Sequence, residues 1–118
     1  MSRIYSLSTI LLTILLTACS PGKETQDIVA ISIVGINDVH GALAAEGGQG
    51  GLISFSARID ALRKARGSDG GTVLLIDAGD MWQGTLESNL SEGAAVVQAY
   101  NEMGVTAATI GNHEFDFG

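Results

Sequence analysis

Disulfides are the first thing this sequence lacks. Its one cysteine, Cys19, cannot close an internal bridge, so no disulfide framework holds the fold. Basic residues are also scarce: 6 Lys and Arg stand against 13 Asp and Glu, a formal charge of −7. That balance excludes the clustered positive charge with which proteins grip a nucleic-acid polymer. A membrane-spanning run is missing too, because the apolar stretch from Ile10 to Leu16 falls well short of the roughly 20 residues that cross a bilayer as a helix. What the 118 residues do contain is apolar material, 46% of the chain, and 16 glycines. This is the composition of a packed, turn-rich globular unit of at most one modest domain.

The averages mix segments of different purpose. Residues 1–18 carry Arg3, no acid and a short apolar core followed by small residues, the layout of an export signal. Leu16-Thr17-Ala18-Cys19 resembles a bacterial lipobox, which makes Cys19 the expected lipidation point and residues 1–18 a lipoprotein signal peptide. Several acyl chains on that residue would anchor the protein stably to a membrane. Ser20, in a position where no Asp stands, points by the same resemblance to the outer membrane, with the protein facing the periplasm or cell surface. Residues 19–27, with Pro21-Gly22, read as a flexible tether. Without residues 1–18 the chain keeps 5 basic and 13 acidic side chains, a balance of −8.

Residues 28–118 alternate between two periodicities. Ile28 to Val34 is a β-branched apolar run that predicts a buried strand. A glycine-rich loop from Gly41 to Gly51 leads to Leu52, Phe55, Ile59 and Leu62 at helical spacing, with Gly67 as a plausible stop. Thr72 to Ile76 predicts a second strand. Val96, Val97, Tyr100 and Met103 predict a second helix closed by Gly104, and Val105 to Ile110 a third strand. The order β-α-β-α-β with short links implies an α/β fold with a parallel sheet.

Each strand finishes in polar residues beside glycine, at the carboxyl edge where open α/β sheets place their ligands. Asp38 and His40, two apart on a segment read as extended, would point the same way and could hold one divalent ion. Alone, such a triplet is more often a turn with a surface histidine. Asp80 follows Gly79, and a carboxylate there could cap a turn or bridge two ions about 3.5–4 Å apart. Asp77 reads as a structural acceptor. The amide oxygen of Asn112 is a workable ligand for a hard ion. His113, with Asp116 three residues on, could be an imidazole oriented by a carboxylate for proton donation or charge stabilisation.

Taken together, Asp-x-His at 38–40, Gly-Asp at 79–80 and Gly-Asn-His-Glu at 111–114 resemble the calcineurin-like metallophosphoesterase superfamily. The extended forms Asp77-Ala78-Gly79-Asp80 and Gly111-Asn112-His113-Glu114-Phe115-Asp116 look most like its 5′-nucleotidase and 2′,3′-cyclic-nucleotide phosphodiesterase branch. The resemblance implies two divalent ions (Mn, Zn, Fe or Co), with Asp38 and His40 on the first, Asp80 bridging and Asn112 on the second. It also implies a catalytic dyad of His113 and Asp116, with Asn112 and His113 facing the phosphate. The substrate would be a nucleotide or another small phosphate ester. A cyclic-nucleotide phosphodiesterase or sulfur-ester hydrolase on the same metal core is the near alternative, and a non-catalytic surface lipoprotein the distant one.

The resemblance also implies elements that these residues do not supply. The superfamily's later histidine and Gly-His-x-His motif have no counterpart here, where His40 and His113 are the only histidines. Residues 28–118 are therefore expected to be the N-terminal part of a four-layer α/β/β/α sandwich, incomplete and inactive by themselves.

Overall fold

The computed structural model describes residues 28–48 and 50–118. The expected signal peptide, the lipidation point Cys19 and the tether lie outside the described residues. Three strands form one parallel sheet in the order β1-β2-β3: β1 is Ile31–Ile36, β2 Thr72–Asp77 and β3 Ala107–Ala108. Helix α1 (Gly51–Ser68) connects β1 to β2, and α2 (Leu86–Leu90) with α3 (Ala94–Met103) connects β2 to β3. The expected alternation and parallel sheet are what the chain forms.

The sheet is covered on one face. Val73, Leu75 and Asp77 of β2 point inward, and Leu75 is fully buried. Leu52 and Ile59 of α1 meet Val96, Tyr100 and Met103 of α3 over that face, with Val34, Ile36 and Phe55 packed at the margin. Among the described residues nothing packs on the other face. Ile31 (58% exposed), Ile33 (69%) and Ile76 (37%) line it in register, since Ile31 pairs with Thr72 and Gly35 with Ile76. Arg63 of α1 joins the two helices by donating to the Gly104 carbonyl at 2.9 Å, and Gly104 ends α3 in the left-handed conformation.

Element boundaries differ from expectation for identifiable reasons. Strand β1 starts at Ile31, because its partner begins at Thr72, whose N–H donates to the Ala30 carbonyl at 3.0 Å; among the described residues Ile28 and Val29 have no strand beside them, and they are exposed. Strand β3 shrinks from six expected residues to two. Thr106 Oγ1 accepts from the Leu75 N–H at 3.2 Å, so a side chain stands where a ladder carbonyl would. Val97 of α3 is 43% exposed, a quarter-turn off the stripe that Val96, Tyr100 and Met103 define. Helix α2 falls in a stretch read as a polar loop; its Leu86 and Leu90 face outward, its buried residue is Ser88 and its N-cap is Thr85.

Candidate metal centre at the carboxyl edge

Beyond the strand ends, the chain keeps pairing. Asp38 N donates to Gly79 O (3.1 Å), His40 N to Asp80 O (3.0 Å) and Gly41 N to Met81 O (2.9 Å). The loop after β1 is thus laid along the loop after β2, residue against residue. It is not extended, however. Asp38 (φ 49°), His40 (φ 47°) and Asp80 (φ 56°) all sit in the left-handed region, which side chains other than glycine seldom adopt. The side chains of Asp38 and His40 converge through these turns and not through the two-residue repeat of a strand.

One ligand atom each from Asp38, His40 and Asp80 lie within 4.8 Å of one another. The imidazole is held through one nitrogen. His40 Nδ1 lies 3.1 Å from the Gln83 carbonyl, which can only accept, so Nδ1 is the donor there and Nε2 is the nitrogen that faces the carboxylates. Nε2 stands 3.9 Å from Asp38 Oδ1. Asn37 Nδ2 donates to Asp38 Oδ2, which orients that carboxylate. Two carboxylates and an imidazole, partly exposed and with no thiol among them, suit a hard or borderline divalent cation.

The third strand end closes against Asp80. His113 N–H donates to Asp80 Oδ1 at 2.9 Å, and the His113 ring meets His40 edge to face with centroids 5.1 Å apart. His113 Nδ1 is held by Asp116 Oδ2 at 2.6 Å. That hydrogen bond and the negative charge beside it raise the His113 pKa above 6.5. Asn112 stands between Gly111 and His113 in the same turn and is exposed. Gly79 (φ 102°) and Gly111 pack backbone to backbone: a Cβ on Gly79 would come within 2.7 Å of Gly111 N, and one on Gly111 would strike the Asp80 carboxylate.

Two further carboxylates brace the loop. Asp77, 2% exposed, accepts from Gly79 N at 2.6 Å and from the Tyr100 hydroxyl at 2.5 Å. Burial and that hydrogen bond push the Tyr100 pKa far up, so the phenol stays a donor. Glu114 accepts from the amides of Asp80, Met81 and Gly111. The sequence singled out Asp77 as a structural acceptor but gave Glu114 no role; only its place in Gly-Asn-His-Glu marked it.

No family model matches the chain. Curated relatives do. The chain is 36% identical over 94 residues to Protein UshA of Escherichia coli strain K12, covering 79% of the chain and 17% of that protein. It is 33% identical over 101 residues to a 5′-nucleotidase of Vibrio cholerae (85% and 18%) and 33% identical over 99 residues to a 5′-nucleotidase of Bos taurus (75% and 17%). The chain thus spans less than a fifth of the length of each of these relatives. Over that span it is a homologue of the N-terminal part of proteins named UshA and 5′-nucleotidase, in agreement with the 5′-nucleotidase branch.

Proposed function

We propose that the chain is the N-terminal part of a metal-dependent phosphoric ester hydrolase that acts on nucleotides, as the names of its 5′-nucleotidase relatives suggest. The observation that carries this reading is the convergence of Asp38, His40 and Asp80 within 4.8 Å, with the His40 ring held through Nδ1 by the Gln83 carbonyl and its Nε2 turned toward Asp38. Asp38 and His40 would hold one divalent ion, Asp80 would bridge to a second, and Asn112 would serve that second ion. When bound, such ions supply positive charge that neutralises the phosphoryl oxygens of the ester.

The protein's own contribution follows from its hydrogen bonds. Asp116 holds the Nδ1 proton of His113, which leaves Nε2 to donate toward the phosphate or the departing oxygen. The raised His113 pKa keeps that donor protonated further toward neutral pH. Asp80 Oδ1 fixes the His113 main chain, so the proton donor and the bridging carboxylate are set relative to each other. Asn112 and His113 would together face the substrate phosphate.

Calorimetric titration with Mn²⁺ is expected to show saturable binding that Asp80→Asn removes; unchanged affinity in that variant overturns the assignment. Because the described residues supply only part of a two-ion donor set, we expect these 118 residues alone to release little or no phosphate from a nucleoside 5′-monophosphate. Brisk release with added Mn²⁺ that His113→Ala abolishes would refute that expectation. Export and anchoring through Cys19 belong to the same proposal. They rest on the pattern of residues 1–20, and metabolic labelling with a radioactive fatty acid in cells expressing Cys19→Ala tests them.

A further inference from the structure

The Glu114 carboxylate plays no part in the roles above, yet three main-chain amides converge on it. Asp80 N (2.9 Å) and Gly111 N (2.5 Å) donate to Oε2, and Met81 N (2.7 Å) to Oε1. We propose that Glu114 is a positioning residue for divalent-ion binding: by taking these amides it holds Asp80 in its left-handed conformation, with the carboxylate aimed at the ion. The inference rests on the metal reading of Asp80 given above.

Residues 79–81 are gripped from both sides. Their carbonyls accept from the amides of Asp38, His40 and Gly41 in the loop after β1. Their amides point the opposite way, where no strand of the described residues continues the sheet, and need another acceptor. Asp77 takes the Gly79 amide, and Glu114 takes those of Asp80 and Met81. A carboxylate suits this task, since bonds from N–H to a charged oxygen are shorter and stronger than neutral ones. By adding Gly111 N, Glu114 also ties the end of β2 to the turn bearing Asn112 and His113. These donors take three of the roughly four acceptor positions of a carboxylate, and Glu114 is not among the side chains whose ligand atoms converge, so it supports the ligands.

The test measures backbone and metal separately, on the same chain. In metal-free, ¹⁵N-labelled protein, Glu114→Ala is expected to move the amide protons of Asp80, Met81 and Gly111 upfield. Mn²⁺ affinity, measured by calorimetry, is expected to fall about 10–100-fold while the far-ultraviolet circular dichroism is kept. Glu114→Gln retains the shape and one acceptor oxygen, so its affinity should fall between; it is the deciding variant if Glu114→Ala does not fold. Wild-type Mn²⁺ affinity in the folded variant overturns the inference, as does weakened binding with those three amides unmoved. Asp80→Asn separates this from the reading beneath it. Wild-type affinity in Asp80→Asn overturns the metal reading and the inference together. Lost affinity there, with wild-type affinity in Glu114→Ala, overturns the inference alone.

Discussion

The covered face of the sheet and its carboxyl edge are held by different physics. On the face, Leu52, Ile59, Leu75, Val96 and Met103 exclude water from one another, and no polar bond is needed to place them. At the edge, Asp38, His40 and Asp80 sit in unfavourable backbone conformations and remain partly exposed; main-chain hydrogen bonds and the carboxylates of Asp77 and Glu114 keep them there. The contrast separates stability from chemistry. Core substitutions should lower stability and leave the ligand geometry of the folded fraction alone. Edge substitutions should do the reverse.

The sharpest way to break that separation is Leu75→Ala. Leu75 is fully buried, so the change should destabilise the domain by about 2–5 kcal/mol in a denaturant melt. Mn²⁺ affinity of the protein that remains folded should be unchanged, and a parallel loss of both would dissolve the distinction. Tyr100→Phe tests the joint between the regions, because its ring packs in the core while its hydroxyl serves Asp77. Removing that donor from a buried carboxylate should destabilise by about 1–3 kcal/mol, together with a shift of the Gly79 amide resonance. On the bare face, Ile33→Ser should stay within about 0.5 kcal/mol, since Ile33 is 69% exposed. A larger loss would mean that this face is covered in solution.

The smallest effect on stability belongs to the edge. The folded chain binds the His113 proton more tightly than the unfolded chain does, so the pair with Asp116 stabilises the fold below a pH of 6.5. That contribution fades as pH rises through the elevated folded value. Asp116→Asn should lower the His113 midpoint in an NMR titration and flatten the change in melting temperature above neutrality. An unmoved midpoint would show that the 2.6 Å contact does not hold in solution.

The sequence made the covered face legible, since Leu52 and Ile59, and Val96, Tyr100 and Met103, repeat at helical spacing. It also showed that polar residues gather at one edge, because each of the three runs ends in Asp, His or Asn beside Gly. How they gather was not legible. An extended Asp38–His40 segment and a left-handed one have the same letters; what distinguishes them is the pairing of their amides with Gly79 and Asp80, more than 35 residues away. The same holds for the short β3, where Thr106 Oγ1 interrupts the ladder, and for α2, whose five residues hold one outward-facing leucine pair, too few for a repeat to stand out. Glu114 was hidden for a similar reason, as its partners are main-chain amides of residues 80, 81 and 111.

The left-handed backbone at Asp38, His40 and Asp80 limits which replacements a saturation library can read cleanly at these positions. Asn and Gly enter that conformation readily, whereas Val, Ile and Thr clash with their own backbone. At 38 and 80, exchange to Asn changes the charge of the side chain and little else. A β-branched replacement disturbs the loop before its effect on the ion can be measured. Dead variants in such a library would therefore mix two failures, and the Asn variants are the ones that report on chemistry alone.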